Sequence, residues 1–258
     1  MTVQPHIKCK KSDVARFAII PGDPARVKLI AKYFDNPKKI AFNREFLTIT
    51  GEYKGIRMTA TSTGIGCPSA AIAIEELANI GVDTFIRVGT CGSLQKGIHV
   101  GDLIIPFGAV RAEGTTREYI PPEFPAVATP EIYQTLIQAA KKLKLRYFTG
   151  INRTHDAFYE HVNNFVKWGE IYTDDRMKTW KYPLVSSEME CSAVFLLPML
   201  RGLRSGCILA VNTPEALQDV IKNPNMIYKL NESTSVISGI NEAVKTSLEA
   251  IRMLAQEH

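Results

Sequence analysis

Short apolar runs of strand length alternate with stretches of helical spacing along most of this chain, and that alternation restricts it to an α/β architecture with its strands in the interior. The strand-like runs are Phe17 to Ile20, Arg57 to Thr61, Thr84 to Val88, Leu103 to Pro106, Tyr147 to Ile151 and Cys207 to Val211. Helical spacing falls between several of them, over Ala25 to Tyr33, Pro68 to Ile80, Glu131 to Lys142 and Met189 to Leu200, and Pro68 suits a helix start. From Ser233 to Gln256 the residues Val236, Ile237, Ile240, Val244, Leu248, Ile251 and Leu254 share one face, which predicts a long amphipathic helix capping the core. The run Phe46 to Thr50, then Glu52, Tyr53, Lys54 and Gly55 before the Arg57 strand, reads as a hairpin. No linker, repeat or low-complexity segment divides the 258 residues, so residues 1–258 are expected to form a single α/β domain. Two irregular stretches, Arg111 to Ala128 and Asn163 to Pro183, have the character of substrate loops or lids.

Composition removes several classes of function. A hydrophobic content of 45% with 22% charged residues is that of an ordinary globular protein. The net charge of +5 is dispersed rather than gathered into a stripe, which disfavours nucleic acid and suits a small anion. Cys9, Cys67, Cys91, Cys191 and Cys207 stand far apart with no CxxC or HExxH pattern, so neither a disulfide framework nor a metal site is expected. No signal-peptide core precedes the first strand, and the apolar run Ala193 to Leu200 is too short for a bilayer, so a reduced, cytoplasmic setting without membrane partners is expected.

Chemistry enters at the strand ends. The strand Phe85, Ile86, Val88 carries Arg87 and runs into Gly89, Thr90, Cys91, Gly92 and Ser93, a cation beside a turn-like segment whose backbone N–H groups can face an oxyanion. At the first strand, Pro21, Gly22, Asp23 and Pro24 are followed by Arg26, again a glycine and an arginine at a strand-to-helix junction. Each alone also reads as an ordinary turn with a solvated arginine; together they supply two ends of one phosphate pocket. The run Ser187, Glu188, Met189, Glu190, Cys191 precedes an apolar helix. Its acids either complement the helix dipole or, at Glu190, offer a buried carboxylate to the vicinal hydroxyls of a sugar.

In order, GDPxR at 22 to 26, NREF at 43 to 46, STGIG at 62 to 66, RVGTCGS at 87 to 93, FPAV at 124 to 127 and SEMECSA at 187 to 193 resemble the nucleoside phosphorylases of the hexameric class, the uridine phosphorylase branch above all. The resemblance implies a mixed, distorted barrel-like sheet flanked by helices, and a hexamer built as a trimer of dimers with shared active sites. It implies phosphorolysis of a ribonucleoside by inorganic phosphate, with no cofactor required. Carried over position by position, Gly22, Arg26, Arg87 and Thr90 would bind phosphate, with Arg44 reaching in from a neighbouring subunit. Glu190 would bind the ribose 2′ and 3′ hydroxyls beside Thr90, Met189 would pack on the sugar, and His6 of the partner subunit would meet the 5′-hydroxyl. By the same resemblance Arg87, Thr90 and Glu190 would form the catalytic set. Cys91, Gly92, Phe158 and His161 would line the base, and Glu45, Ile65 and Ser69 match positions that hold a monovalent cation in some relatives.

The resemblance thins at the base. Uridine enzymes carry a Gln and an Arg shortly after the Phe, whereas this chain has Glu160, His161, Val162, Asn163 and Asn164. Purine enzymes have an acidic residue where Cys207 to Val211 ends, and here Asn212 and Thr213 stand there. Without an acid to protonate purine N7, the reading turns toward pyrimidines. A purine or unusual nucleoside phosphorylase with a different base pocket, and a catalytically silent nucleoside binder, remain as alternatives.

Overall fold

The computed structural model describes residues 2–158, 184–213, 229 and 232–256. Among these, the strands are β1 (Phe17–Ile19), β2 (Asp35–Asn43), β3 (Phe46–Tyr53), β4 (Ile56–Thr61), β5 (Thr84–Ser93), β6 (Leu103–Ala112), β7 (Ala126–Val127), β8 (Tyr147–His155), β9 (Leu184–Glu188) and β10 (Arg204–Thr213). The helices are α1 (Pro24–Ala31), α2 (Cys67–Asn79), α3 (Thr115–Tyr119), α4 (Pro130–Lys142), α5 (Cys191–Leu200) and α6 (Thr234–Gln256).

One mixed sheet contains all ten strands. β5 pairs with β10, β10 with β6, β6 with β8 and β8 with β9; β9 then pairs back to β5, closing a barrel. β1, β4, β3 and β2 continue outward from β5 as an open extension. A strand has two edges, and on β5 they are used differently. β10 lies parallel along one edge from Thr84 to Gly92. The other edge is divided between β1, which takes Thr84, Phe85 and Ile86, and β9, which takes Gly92 and Ser93. Residues 87–91 pair with neither, so the sheet forks there.

The pleat sorts the core. Phe85 and Cys91 of β5, with Cys207, Leu209 and Val211 of β10, face the cluster under α2 and α5, while Ile86, Val88, Ile208 and Ala210 face the cluster under α1, α4 and α6. Strands buried on both faces explain the unbroken apolar runs. α2 packs through Ala70, Ala71, Ala73, Ile74 and Leu77, and α5 is buried on nearly every side. α6 follows the expected stripe: Val236, Val244, Leu248, Ile251 and Leu254 are buried, Ile240 is partly buried and Ile237 lies outside it. The expected hairpin is β3–β4, closed by Lys54 and Gly55, both at positive φ (51° and 79°) as a tight primed turn requires.

Three features depart from expectation. Gly89 to Ser93 is a continuation of β5 rather than a turn, because β10 matches it residue for residue and the ladder overrides weak local propensity. β2 and β9 were not foreseen. Arg111 to Ala128 is ordered by one buried guanidinium: Arg111 donates to Thr116 Oγ1 and to the carbonyls of Thr116, Ile120, Pro121 and Phe124, at 2.7–3.0 Å. The expected lid over Asn163 to Pro183 lies outside the described residues.

Candidate active site

The fork in the sheet is where the candidate residues meet. Alternation along β5 puts Arg87 on the same face as Phe85 and Cys91, turned toward the N-termini of α2 and α5. Gly89 follows on that face, and a Cβ there would stand 2.8 Å from Arg87 Nη2 and 2.6 Å from Leu209 Cδ2. The glycine is thus the floor on which the guanidinium lies. Arg87 Nη2 pairs with Glu190 Oε2 and lies 3.2 Å from Glu188 Oε2; all three residues are buried. Glu190 Oε1 accepts the Gly66 N–H at 2.5 Å, at the positive end of α2.

GDPxR approaches from the other side. Asp23 caps α1 by accepting the Ala25 N–H at 2.7 Å, and this orients the first turn so that Arg26 Nη1 reaches the Val88 carbonyl, 3.1 Å away in the unpaired stretch of β5. Gly22 is held against STGIG: its carbonyl accepts the Gly64 N–H at 3.0 Å, and a Cβ at Gly22 would fall 2.9 Å from the Gly64 oxygen. Gly64 itself has φ +72° and presses against Glu45 and Ser69, a place no side chain can occupy. Contacts therefore run without a break from GDPxR through STGIG and SEMECSA to RVGTCGS. Gly22, Arg26, Thr90, Gly92 and Met189 are partly exposed along this cleft, and Cys91 is buried. Gly92 pairs with Ser187 of β9 at the upper lip of the fork.

His6 and Arg44 form a second group. His6 Nδ1 lies 2.6 Å from Glu76 Oε1, Glu76 also accepts the His6 and Ile7 N–H groups, and the His6 carbonyl accepts from Asn43 Nδ2 at 2.7 Å. This is a fastened segment, not a loose terminus. Arg44 is exposed at the tip of the β2–β3 turn with φ 53°, an unusual conformation for a side chain of its size. Glu45 beside it accepts from Ser69 Oγ at 2.7 Å, and Ile65 nearby in sequence to Gly64 is 78% exposed. Phe158 lies beyond the end of β8 and is 49% exposed. His161 lies outside the described residues. No group of three or more His, Cys, Asp or Glu side chains among the described residues is arranged to hold a metal ion.

Sequence reasoning did not find Glu188, the Gly66 N–H or the role of Gly89. The paired acids around Met189 and the glycines of STGIG were visible, but which acid faces a ligand and which the protein interior depends on the α5 start, two residues later than its spacing suggested.

The charges explain what the cleft wants. Burial opposes the Arg87 charge, but Glu190 and Glu188 outweigh it and hold the guanidinium above its ordinary range. Burial and then repulsion from Arg87 draw Arg26 down to about 10, still cationic at neutral pH. Burial pushes the Glu190 carboxyl up, with Arg87 pulling against it. Arg26 and Arg87 bring two cations to the unpaired stretch of β5, which suits a bound anion.

The chain is similar to known proteins along most of its length. The family model described as the phosphorylase superfamily matches residues 16–236. A uridine phosphorylase of Thermococcus kodakarensis is 42% identical over 260 residues, covering 98% of this chain and 87% of that protein. A guanosine phosphorylase of Halorubrum lacusprofundi is 41% identical, covering 82% of this chain and 84% of that one. Among solved structures, a purine nucleoside phosphorylase from Toxoplasma gondii in complex with immucillin-H superposes with a TM-score of 0.87 at 35% identity, covering 100% of this chain and 98% of that one.

Proposed function

The chain belongs to the phosphorylase superfamily, and from that premise we propose that it cleaves uridine with inorganic phosphate, giving ribose 1-phosphate and uracil. It is a nucleoside phosphorylase, a pentosyltransferase that takes phosphate as co-substrate. The observation that carries the reading is the meeting of Arg26 and Arg87 at the fork, two cations beside the unpaired stretch of β5, with the buried Arg87 Nε lacking a partner among the described residues, an arrangement that suits an anion. Gly22 and Thr90 complete that seat, and Arg44 of the partner subunit closes it. Glu190 accepts hydrogen bonds from the ribose 2′ and 3′ hydroxyls, Met189 packs beneath the sugar, and His6 of the partner subunit meets the 5′-hydroxyl.

As the glycosidic bond breaks, the sugar takes on oxocarbenium character. Phosphate held beneath C1′ is then both nucleophile and counter-charge, and its positioning supplies much of the rate. Cys91, Gly92, Phe158 and His161 line the departing base. Hydrolysis would leave Arg26 and the unpartnered Nε edge of Arg87 without an anion to bind, which supports phosphate over water as the attacking group.

The preference for uridine rests on the relatives named for it and on Asn212, a residue with no proton to give a purine N7 at the end of β10. The guanosine and purine relatives favour a second reading, a purine substrate held without that acid. The wider proposal is one nucleoside phosphorylase domain over residues 1–258, acting in nucleoside salvage in the cytoplasm as a hexamer whose subunits share sites. Among the described residues no helix is long and apolar enough to cross a membrane. Glu45, Ile65 and Ser69 would hold a monovalent cation at the subunit contact. The test is release of free base from uridine, inosine and guanosine with and without phosphate. Phosphate-dependent release fastest from uridine is expected; faster release from a purine nucleoside would replace the substrate, and release independent of phosphate would replace the reaction.

A further inference from the structure

Glu188 is the last residue of β9, and the reaction as derived gives it no task. Its carboxylate is nonetheless surrounded by donors from three elements. Oε1 accepts from Asn152 Nδ2 at 2.7 Å and Thr154 Oγ1 at 2.8 Å, both on β8. Oε2 accepts the Glu190 N–H at 2.7 Å, the Cys191 N–H lies 3.1 and 3.0 Å from the two oxygens, and Arg87 Nη2 of β5 is 3.2 Å from Oε2. The donors are themselves fixed: Ser186 Oγ holds Asn152 Oδ1 at 2.8 Å, and Thr154 Oγ1 accepts the Ser192 N–H at 3.1 Å.

We propose that Glu188 is a positioning residue for phosphate binding, touching neither substrate and setting the Arg87 guanidinium and the Glu190 carboxylate relative to one another. This rests on the phosphorylase reading above and deepens it. A carboxylate offers about four lone-pair sites, and five protein donors already fill them, so no site is left for a ribose hydroxyl. The same oxygen, Oε2, receives the Glu190 backbone and the Arg87 side chain. One atom therefore fixes the start of the helix that carries the sugar-binding acid and the height of the phosphate-binding cation. Because Glu188 and Glu190 both draw on Nη2, the rest of the guanidinium, including Nε, buried and without a partner among the described residues, is left for an anion.

Glu188→Gln keeps the shape but replaces one oxygen with an amide NH2. Whichever way the amide turns, a donor then faces a donor: Arg87 and the Glu190 N–H on one side, or Asn152 and Thr154 on the other. The experiment measures the dissociation constant of inorganic phosphate by calorimetry on the full-length protein, the KM for phosphate and for nucleoside, and the melting temperature without ligand. Glu188→Gln is expected to weaken phosphate by at least about tenfold per folded site, with the KM for phosphate rising more than that for nucleoside. Thr154→Val, which nearly preserves volume and leaves the Arg87 contact in place but strips a partner from Glu188 Oε1 and from the Ser192 N–H, is expected to cause a smaller loss of phosphate affinity with a melting temperature lower by a few degrees. A folded Glu188→Gln protein with wild-type phosphate affinity overturns the proposal, as does unchanged affinity in Thr154→Val should Glu188→Gln fail to fold. Wild-type protein that does not bind phosphate removes the phosphorylase reading and this proposal with it, so the two failures are separable.

Discussion

Replacing Gly89 with alanine tests the seat of Arg87 without touching any group that bears chemistry. The backbone at Gly89 is ordinary strand, so the effect is steric. The new methyl would lie 2.6 Å from Leu209 Cδ2 and 2.8 Å from Arg87 Nη2. Non-bonded carbons rest about 3.5–4.0 Å apart, so roughly 1 Å must be found. Leu209 is fully buried on β10 and has little room, which leaves the guanidinium to lift from its floor and away from Glu190 and Glu188. Overpacking of this kind costs about 1–3 kcal/mol, or roughly 2–12 °C in melting temperature for a chain of this size. A displacement of about 1 Å at a positioned group costs about 100-fold in rate. Steady-state assays with phosphate varied should therefore show kcat/KM for phosphate falling about 100-fold while the protein remains folded by circular dichroism. A Gly89→Ala protein that loses stability yet keeps its phosphate kinetics would show that the guanidinium does not work from this place.

The other expectations concern more distant parts of the chain. Glu249, buried on α6, is held down to about 2 by hydrogen bonding to Arg252 and then by Lys142. Its folded-state pKa is depressed, so the stability it contributes is complete above the ordinary carboxylate range and is lost as pH falls toward 2; Glu249→Gln should cost about 1–2 kcal/mol at neutral pH in urea unfolding and flatten the acid limb. Glu76→Ala strips the acceptor from His6 and Ile7 and should cost about 2–3 kcal/mol, with earlier proteolysis near the N-terminus. All five cysteines are buried, and burial raises Cys9 to about 11 and Cys91 and Cys191 well above the thiol range, so a disulfide-exchange reagent should find no fast-reacting thiol before unfolding and five afterwards.

What could be read from the residues was set by how local the cause was. The amphipathic stripe of α6 and the Lys54–Gly55 turn follow from spacing and φ preference, and both were legible. β2 carries Asp35, Asn36, Pro37, Lys38 and Lys39 on an exposed sheet edge, where charge and proline guard against further pairing and erase the pattern of alternation. The strand character of Gly89 and Gly92 is imposed by β10, a segment more than a hundred residues away. Within the site, Arg26 and Arg87 announced themselves as cations at strand ends. Glu188 did not, because its partners Asn152 and Thr154 come from β8 and are ordinary polar residues until the barrel closes.

The shared strand β5 has a further consequence for how the molecule comes apart. The barrel needs β5 to close between β10 and β9, and the open extension needs it to attach β1. Neither portion can shed the other without exposing a torn edge, so the two are expected to melt as one cooperative unit, with the amides of Phe85 to Arg87 among the last to exchange with solvent. The gap in pairing where ligands are drawn in thus lies within the least yielding strand of the protein. Access to the cleft must come from the segments around it, while the sheet beneath stays closed.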